Sequence, residues 1–358
     1  MVRLIGDEEV RQIFTMKDCI DALEEGYIEL AHGRAVNMPR RDTYVPYSQK
    51  DSYYVFKTME GAIQKLGVVA QRVDSVIQQW PIVNGALKKL QLPNPRGRYV
   101  GLIYLYNIED QELLAVIPDG EVGRMRVAGT MGLGVKLLDR GDSKTAGIYG
   151  SGWQAGALVR ALVAARSIHK VKIYSPNREH RVSFAQKYAR ELGLDITAVD
   201  EPAQAAQGVD IVGTATNSRE PVCKGAWIER GTHLTCLEPW EFDDDAWGKC
   251  DRRFFSSLAS GYMAYVIGDK SSVPEFSSGK SEDEIDRYYE RFGGDMVTDL
   301  LRGKVSGRRR DEEITMMCKG IGLGIEFAAT AKRVYDLARA KGVGLEISGE
   351  RFTQLGRP

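Results

Sequence analysis

This sequence of 358 residues lacks an excess of charge of either sign, a long apolar run and a leader-like start. Lysine and arginine together number 49, as do aspartate and glutamate, so the formal net charge is zero. A balanced chain has no electrostatic footprint for nucleic acid or an anionic membrane, and we expect neither partner. No apolar run approaches the ~18 residues that span a bilayer. The opening segment, Met1 to Glu9, is too acidic for a signal peptide. Together these features predict a cytoplasmic protein.

Cysteine and histidine are few, and their spacing fits no known framework. The five cysteines are scattered without a CxxC pair, and the four histidines show no HxxxH or HExxH spacing. Scattered cysteines of this kind are typical of reduced thiols in a cytosolic protein. The sequence therefore predicts no disulfide framework and no metal site.

The most informative stretch runs from Thr145 to Gly156. An apolar run is followed by Gly150, Gly152 and Ala155 at GxGxxA spacing, and then by a helical pattern. In a dinucleotide site the first glycine permits a tight turn, the second lets a pyrophosphate approach the backbone, and the small third residue lets helix and strand pack closely. A second apolar run begins at Val171 and a third at Val209, at the spacing of βαβ units. We therefore predict a dinucleotide site that contains Gly150, Ser151, Gly152, Trp153, Gln154 and Ala155.

The residues after the second strand indicate which cofactor is used. NAD-selective sites commonly end this strand with an acid that binds the ribose 2′-hydroxyl, but here it continues with Ser175, Asn177 and Arg178. These side chains could bind a 2′-phosphate, so NADP(H) is favoured and NAD(H) remains possible. A plain turn with a helix cap would leave the selectivity open. Thr214, Thr216 and Asn217 follow the third strand and are expected near the nicotinamide ribose.

The spacing of apolar residues predicts the secondary structure of the rest of the chain. A helix is expected from Thr15 to Gly33, followed by strands up to Val116 that include a hairpin of 99–106 with 112–117. Residues 84–98 are expected to form a long loop, over either an active site or a subunit contact. A helix is expected to begin near Arg124. The charged segment 269–310 favours a solvated insertion or a surface helix over a lid. Residues 313–341 are expected to form one long helix that contains Gly320-Ile-Gly-Leu-Gly324.

Several of these motifs resemble the ornithine cyclodeaminase/μ-crystallin family over most of the chain. The motifs are Met38-Pro-Arg-Arg41, Gln71-Arg-Val-Asp-Ser75, Ile117-Pro-Asp-Gly-Glu-Val-Gly-Arg-Met-Arg-Val-Ala-Gly129, Gly150-Ser-Gly-Trp-Gln-Ala155, Val209-Asp-Ile-Val-Gly-Thr-Ala-Thr-Asn-Ser218 and Gly231-Thr-His-Leu234. The resemblance implies an α/β fold in which a Rossmann domain is inserted between N- and C-terminal segments that form a second, α+β substrate and dimerisation domain. We expect residues 1–135, completed by 313–358, to form the second domain, and 136–312 to form the Rossmann domain with a charged insertion at about 262–310. A homodimer is also implied.

The resemblance also assigns residues to the substrate. Family members hold the substrate carboxylate with two arginines and a lysine, and these positions fall on Arg41 (with Arg40 as the less favoured choice), Arg126 and, in place of the lysine, Arg72. A third arginine keeps the charge but presents a fork that binds carboxylate in bidentate fashion. Three arginines in one pocket would suit an anionic substrate, including a dicarboxylic one.

A second departure concerns the general acid. The catalytic aspartate of cyclodeaminases lies between the Gly-x-His strand and a Glu-Leu-Asp sequence, and this interval is about five residues shorter here. That aspartate is therefore missing. Glu238, Glu241 or Asp243 could replace it, with Glu241 the first candidate, although a structural or exposed position is the favoured reading for each.

The resemblance thus implies an NAD(P)-dependent oxidoreductase that moves a hydride between nicotinamide and the α-carbon of an imino or amino acid. An ornithine cyclodeaminase that uses a displaced carboxylate is the second reading. A nucleotide-dependent binding protein without turnover, like μ-crystallin, is the third.

Overall fold

The computed structural model describes residues 1–49, 51–83, 86–277, 284–354 and 356. The helices are α1 (Asp7–Ile13), α2 (Met16–Ala31), α3 (Asp119–Leu138), α4 (Trp153–Ala165), α5 (Arg178–Leu192), α6 (Pro202–Ala206), α7 (Asp244–Lys249), α8 (Pro274–Ser277), α9 (Glu284–Phe292), α10 (Val297–Leu301) and α11 (Gly324–Lys341). The strands before the glycine turn are β1 (Val2–Leu4), β2 (Ala35–Asn37), β3 (Arg41–Pro46), β4 (Ser52–Ile63), β5 (Val68–Gln79), β6 (Ile82–Val83), β7 (Ala86–Leu87), β8 (Leu90–Leu92), β9 (Val100–Asn107) and β10 (Leu113–Pro118). The later strands are β11 (Thr145–Tyr149), β12 (Lys170–Tyr174), β13 (Asp195–Ala198), β14 (Ile211–Thr214), β15 (His233–Cys236), β16 (Arg252–Phe255), β17 (Met263–Val266), β18 (Asp295–Met296), β19 (Thr315–Cys318) and β20 (Leu345–Ile347).

The first sheet is mixed and is built mainly from the first half of the chain. Its strand order is β17-β3-β4-β5-β9-β10-β1-β20. Its two longest strands, β4 and β5, pair antiparallel along twelve residues each, and most of their side chains alternate between buried and half-buried. This alternation leaves one face for a core and the other for solvent or a partner. The inner face packs against α2 and α11, in a core that contains Leu23, Ile63, Ile103 and Phe327.

The second half is a parallel sheet in the order β13-β12-β11-β14-β15-β19-β16-β18. Strands β14, β15 and β19 are buried at every position, as expected when helices cover both faces. The chain crosses from one side of β11 to the other between β13 and β14. This reversal in strand order creates the crevice where such sheets bind dinucleotides.

Several sequence-based expectations about elements are met. The helix predicted from Thr15 is α2, and Thr15 caps it by accepting a hydrogen bond from the Asp18 amide at 3.1 Å. The hairpin predicted around residues 107–111 is the β9–β10 pair. Both were strong local signals: a capping box for the helix, and two apolar runs flanking a polar turn for the hairpin.

Three expectations about elements were wrong. The helix predicted over 313–341 is divided, because Thr315–Cys318 forms β19 in the middle of the parallel sheet and α11 begins only at Gly324. The predicted start at Arg124 is late, since α3 already begins at Asp119. The predicted loop over 84–98 contains β7 and β8, with residues 84 and 85 outside the described part.

The charged segment 269–310 contains the partly exposed helix α9, which fits the surface-helix alternative, and strands on either side of this helix join the two sheets. Strand β17 joins the edge of the first sheet beside β3, and β18 joins the second sheet beside β16. Residues 278–283, which include the acidic start of the charged motif, lie outside the described residues. In the described ranges no helix is long and apolar enough to cross a membrane.

Candidate active site

The predicted glycine turn has the geometry of a phosphate-binding elbow. Gly150 has a φ of +120°, and a Cβ there would lie 2.4 Å from the Ala215 carbonyl oxygen, so only glycine fits. Gly152 is the N-cap of α4 and provides no side-chain cap, and a Cβ built on it meets no atom within 4 Å. The first amides of α4 therefore face open space, where the positive end of a helix binds an anion.

The side chains around the elbow fit a bound dinucleotide. Ala155 is fully buried behind Gly150, whereas Trp153 is exposed with the Arg124 guanidinium over its ring at 5.3 Å. The buried Oε1 of Gln154 has no hydrogen-bond partner among the described residues. An orphaned acceptor beside an open helix N-terminus is the type of group that a ligand satisfies.

The residues expected near the adenosine ribose have different surroundings. The Ser175 hydroxyl is 2.8 Å from the Ser151 hydroxyl and links the elbow to the end of β12. Asn177 caps α5 by accepting a hydrogen bond from the His180 amide at 2.9 Å. Arg178 extends into solvent and is 3.9 Å from Asp200. Of these three residues, Arg178 thus has a cationic head group that is largely free to bind a ligand at this edge.

Near the expected nicotinamide ribose, the Glu241 carboxylate organises the backbone. It accepts hydrogen bonds from the Thr214 hydroxyl at 3.0 Å, the Thr216 amide at 2.7 Å and the Glu238 amide at 3.0 Å. Burial raises the pKa of Glu241, and these donors oppose the rise. The side chain is fully buried. The Glu241 carboxylate thus holds the loop after β14 in place. This structural role differs from the general-acid role expected for it.

Of the other residues expected in this region, Asp243 also has a structural role, whereas Asn217 is exposed and could contact a ligand. The Asp243 carboxylate caps α7 through the Ala246 amide at 2.9 Å and accepts from the Gly225 amide at 2.8 Å. The Thr214 hydroxyl points at Glu241, so it does not face a ribose. Asn217 is exposed just beyond the strand end.

The three arginines expected around a substrate carboxylate do not all converge. In the register of the first sheet, Arg41 lies opposite Thr58 and Arg72 lies opposite Met59. Neighbouring residues of a strand point to opposite faces, so Arg72 is on the inner face and Arg41 on the outer face. The Arg41 side chain is 43% exposed and donates to Glu60 at 2.7 Å.

Arg72 and Arg126 do converge, on the ring of Phe327. Their guanidinium carbons lie 5.6 and 4.7 Å from its centroid. Arg72 pairs with Asp119 and, at 3.2 Å, with Asp74. Arg126 donates to Glu326 at 2.6 Å, and its buried Nε has no hydrogen-bond partner among the described residues. Two forked donors over one ring can hold a carboxylate.

Two further cations lie on the inner face and replace Arg41 there. Arg40, the less favoured choice from the sequence, chelates the buried Asp42 at 2.9 and 2.6 Å and covers the Tyr262 ring. Lys57 is buried with its ammonium 3.4 Å from Asp74, the carboxylate that Arg72 also uses. Burial lowers the pKa of Lys57 to about 8, against the pull of Asp74. Sequence reasoning missed Lys57, although a lysine at an inward position between Val55 and Met59 was a usable signal.

A buried network centred on Glu326 adjoins Arg126. Glu326 accepts from the Tyr27 hydroxyl at 2.7 Å and the Thr130 hydroxyl at 3.3 Å, and the Lys319 ammonium is 3.5 Å away. Burial alone would raise the pKa of Glu326, but Lys319 and Arg126 hold it below its ordinary value. The sequence reading missed both Lys319 and Glu326 because it placed them inside one continuous helix.

Comparison with known proteins supplies the context for this site. The ornithine cyclodeaminase/mu-crystallin family model matches residues 2–247. Delta(1)-pyrroline-2-carboxylate reductase of Bacillus cereus is 23% identical over 349 residues, 96% of this chain and 99% of that protein. Alanine dehydrogenase of Archaeoglobus fulgidus is 26% identical over 350 residues, with 96% and 97% covered. The structure of Thermococcus litoralis Delta(1)-pyrroline-2-carboxylate reductase with NADH and L-proline superimposes with a TM-score of 0.74 at 26% identity, covering 96% of this chain and 100% of that one.

Proposed function

Because the chain belongs to the ornithine cyclodeaminase/mu-crystallin family, we propose that it reduces an α-imino acid, or oxidises the corresponding amino acid, with a nicotinamide cofactor. Its relatives confirm the expected class, an NAD(P)-dependent oxidoreductase acting on carbon–nitrogen bonds, and the expected Rossmann-containing fold. The observation that carries the proposed chemistry is the convergence of Arg72 and Arg126 over Phe327.

The cofactor would lie across the parallel sheet with its pyrophosphate at the elbow. The open amides of α4, the orphaned Oε1 of Gln154 and the glycine-only contact at Gly150 fit such a group. When bound, the nicotinamide supplies or accepts the hydride. We propose a preference for NADP(H), because Ser175 stands where an acid would repel a 2′-phosphate and Arg178 can turn to neutralise one. The relatives leave this preference open.

The protein's own contribution would be orientation. Arg72 and Arg126 would bind the substrate carboxylate, so that the α-carbon faces the carboxyl ends of β14 and β15, where a nicotinamide ring would lie. Phe327 gives the two guanidinium groups a common platform. Lys57 and Arg40 extend the cationic inner face, balanced by Asp42 and Asp74. We therefore place Arg40 and not Arg41 on the substrate side of the sheet.

A spectrophotometric screen tests this function. The purified protein would be mixed with NADPH or NADH and with cyclic imines, or with 2-oxo acids plus ammonia or methylamine, and followed at 340 nm. Substrate-dependent cofactor oxidation is expected, with lower KM for NADPH than for NADH. Cofactor binding without turnover of any imine would favour a binding protein instead. Ammonia release from ornithine without net cofactor oxidation would favour a cyclodeaminase.

We also propose a homodimer that forms through the outer face of the first sheet. Side chains that point away from the core there are largely apolar and only partly buried, namely Tyr54, Phe56, Val73, Ile77, Leu102 and Tyr104. A contiguous apolar face of this kind is typical of a subunit interface. Sedimentation analysis should give twice the chain mass of 39.8 kDa. The cytoplasmic location stays a prediction.

A further inference from the structure

The reduction of an imine needs a proton at nitrogen as well as a hydride at carbon, and two of the three carboxylates first considered for this role, those of Glu241 and Asp243, already have structural roles. Glu241 clamps the loop after β14, and Asp243 caps α7. Glu238, the third candidate, lies near the Lys319 ammonium, so the choice of proton donor is between Glu238 and this lysine.

Lys319 occupies a suitable position. It directly follows β19, and its amide donates to the Cys236 carbonyl at the end of β15 at 2.9 Å, so it lies at the carboxyl edge of the parallel sheet. The Lys319 ammonium lies 3.5 Å from one oxygen of the Glu326 carboxylate, and the Arg126 guanidinium lies 2.6 Å from the other. A substrate whose carboxylate is bound by Arg126 would therefore present its nitrogen close to this ammonium.

The charged and titratable groups around this ammonium come from four elements. They are Glu326 of α11, Arg126 of α3, Glu238 after β15, and Tyr27 of α2, which donates to Glu326. Burial lowers the pKa of Lys319 to about 8, Glu326 and Glu238 oppose this change, and Arg126 adds to it. A donor that titrates near neutral pH transfers protons efficiently in both directions.

A groove lies close to the backbone of the same residue. It measures about 430 Å³, and its lining includes Ser256, Ser257 and Leu323. The Ser256 hydroxyl donates to the Lys319 carbonyl, and the Ser257 hydroxyl donates to the Ile321 carbonyl at 2.5 Å. Ser256 and Ser257 thus hold the backbone of the buried Lys319 at the edge of this groove.

We propose that Lys319 is the proton donor of the reductive reaction. The Lys319 ammonium would protonate the imine nitrogen, and a bound reduced nicotinamide would supply the hydride that the α-carbon accepts. The C=N double bond becomes a C–N single bond, the nicotinamide is oxidised, and Lys319 is left as a neutral amine that regains a proton from water. This inference rests on the proposed function and adds the identity of its acid.

The test compares pH profiles of kcat/KM for imine reduction in the wild type, Lys319→Arg and Glu238→Gln. The wild-type rate should be level below pH 8 and fall tenfold per unit above it. Lys319→Arg keeps the positive charge beside Glu326 but cannot release a proton, so kcat should fall by about 10²- to 10⁴-fold with no decline near pH 8. Glu238→Gln should stay active, with the decline moved to lower pH. Cofactor affinity, measured by NAD(P)H fluorescence, should be unchanged in both variants.

Three results would overturn the proposal. A wild type that turns over no imine would remove this inference together with the proposed function. An active wild type whose decline near pH 8 persists in Lys319→Arg would overturn the proton donor alone. So would a Glu238→Gln variant that loses activity while Lys319→Arg keeps it. If Lys319→Arg fails to fold, the double variant Lys319→Gln/Glu326→Gln removes both charges and should show the same loss of the decline.

Discussion

The clearest test of the site is the removal of Arg126. In Arg126→Ala, the guanidinium that stacks on Phe327 and pairs with Glu326 at 2.6 Å is lost. Two consequences can be separated. One is the stability of the fold, and the other is the binding of a substrate carboxylate.

The effect on stability should be moderate. Removing one partner of a buried ion pair costs about 3–5 kcal/mol when the other charge is left alone. Here Lys319 at 3.5 Å and Tyr27 at 2.7 Å still hold Glu326. The cost should therefore be about 3 kcal/mol or less, and the melting temperature should fall by several degrees.

The effect on catalysis should be larger. Loss of one buried, charge-assisted contact to a carboxylate costs about 2–5 kcal/mol. Since about 1.4 kcal/mol corresponds to a factor of ten, kcat/KM should fall between roughly 30-fold and several thousand-fold. Arg126→Lys should recover part of this loss, because the charge returns without the fork.

Steady-state kinetics at 340 nm on any active cofactor–imine pair provides the measurement, and calorimetry provides the melting temperatures. Arg41→Ala is the matched control, because that arginine lies on the outer face and is 43% exposed. It should leave kcat/KM within about twofold. If Arg41→Ala were the damaging change and Arg126→Ala were not, the assignment of the inner face to the substrate would be wrong.

The remaining predictions concern the cofactor, the fold and the assembly. Arg178→Ala should weaken NADPH binding about tenfold and leave NADH binding nearly unchanged, as fluorescence titration would show. Gly150→Ala should abolish binding of both cofactors, because its Cβ would lie 2.4 Å from a carbonyl oxygen; retained binding would contradict the elbow geometry. Burial, reinforced by nearby arginines, lowers the pKa of His233 to about 3, below its ordinary 6.5. The unfolded chain therefore binds the extra proton first, and stability should be lost at about 1.4 kcal/mol per unit as the pH falls below 6.5. In His233→Gln the melting temperature should depend less on pH between 7 and 5. Phe56→Asp on the outer face should give a monomer by sedimentation, with cofactor affinity preserved; an unchanged dimer would place the interface elsewhere.

Signals confined to a few consecutive residues were predicted well from the sequence. The elbow at Gly150 and Gly152, the cap at Thr15 and the hairpin before Pro118 depend on local backbone geometry, which short motifs encode directly. The family followed from the same kind of motif. Residues 315–318 were misassigned because a short buried apolar run has no periodicity of its own and can be either strand or helix.

Short motifs were not enough to predict which side chains form the site. Arg40 and Arg41 are adjacent and chemically identical, so no sequence pattern could decide which one faces the core. The pairing of β3 with β4 decides it, because a shift of one residue sends a side chain to the opposite face. In the same way, the sequence allowed Glu241 as a replacement for the missing general acid. In the structure its carboxylate accepts three hydrogen bonds and so has a structural role.

The sequence by itself determined the family, the nucleotide elbow and the presence of several cations suited to a carboxylate. The tertiary structure decided which of those cations meet. Arg126 comes from α3, Arg72 from β5, Lys319 from the end of β19 and Glu326 from α11, and only the packing of these elements brings them together. The physical reason is that a strand register and a helix packing angle are fixed by burial across the whole chain, whereas a motif records only the conformation of its own few residues.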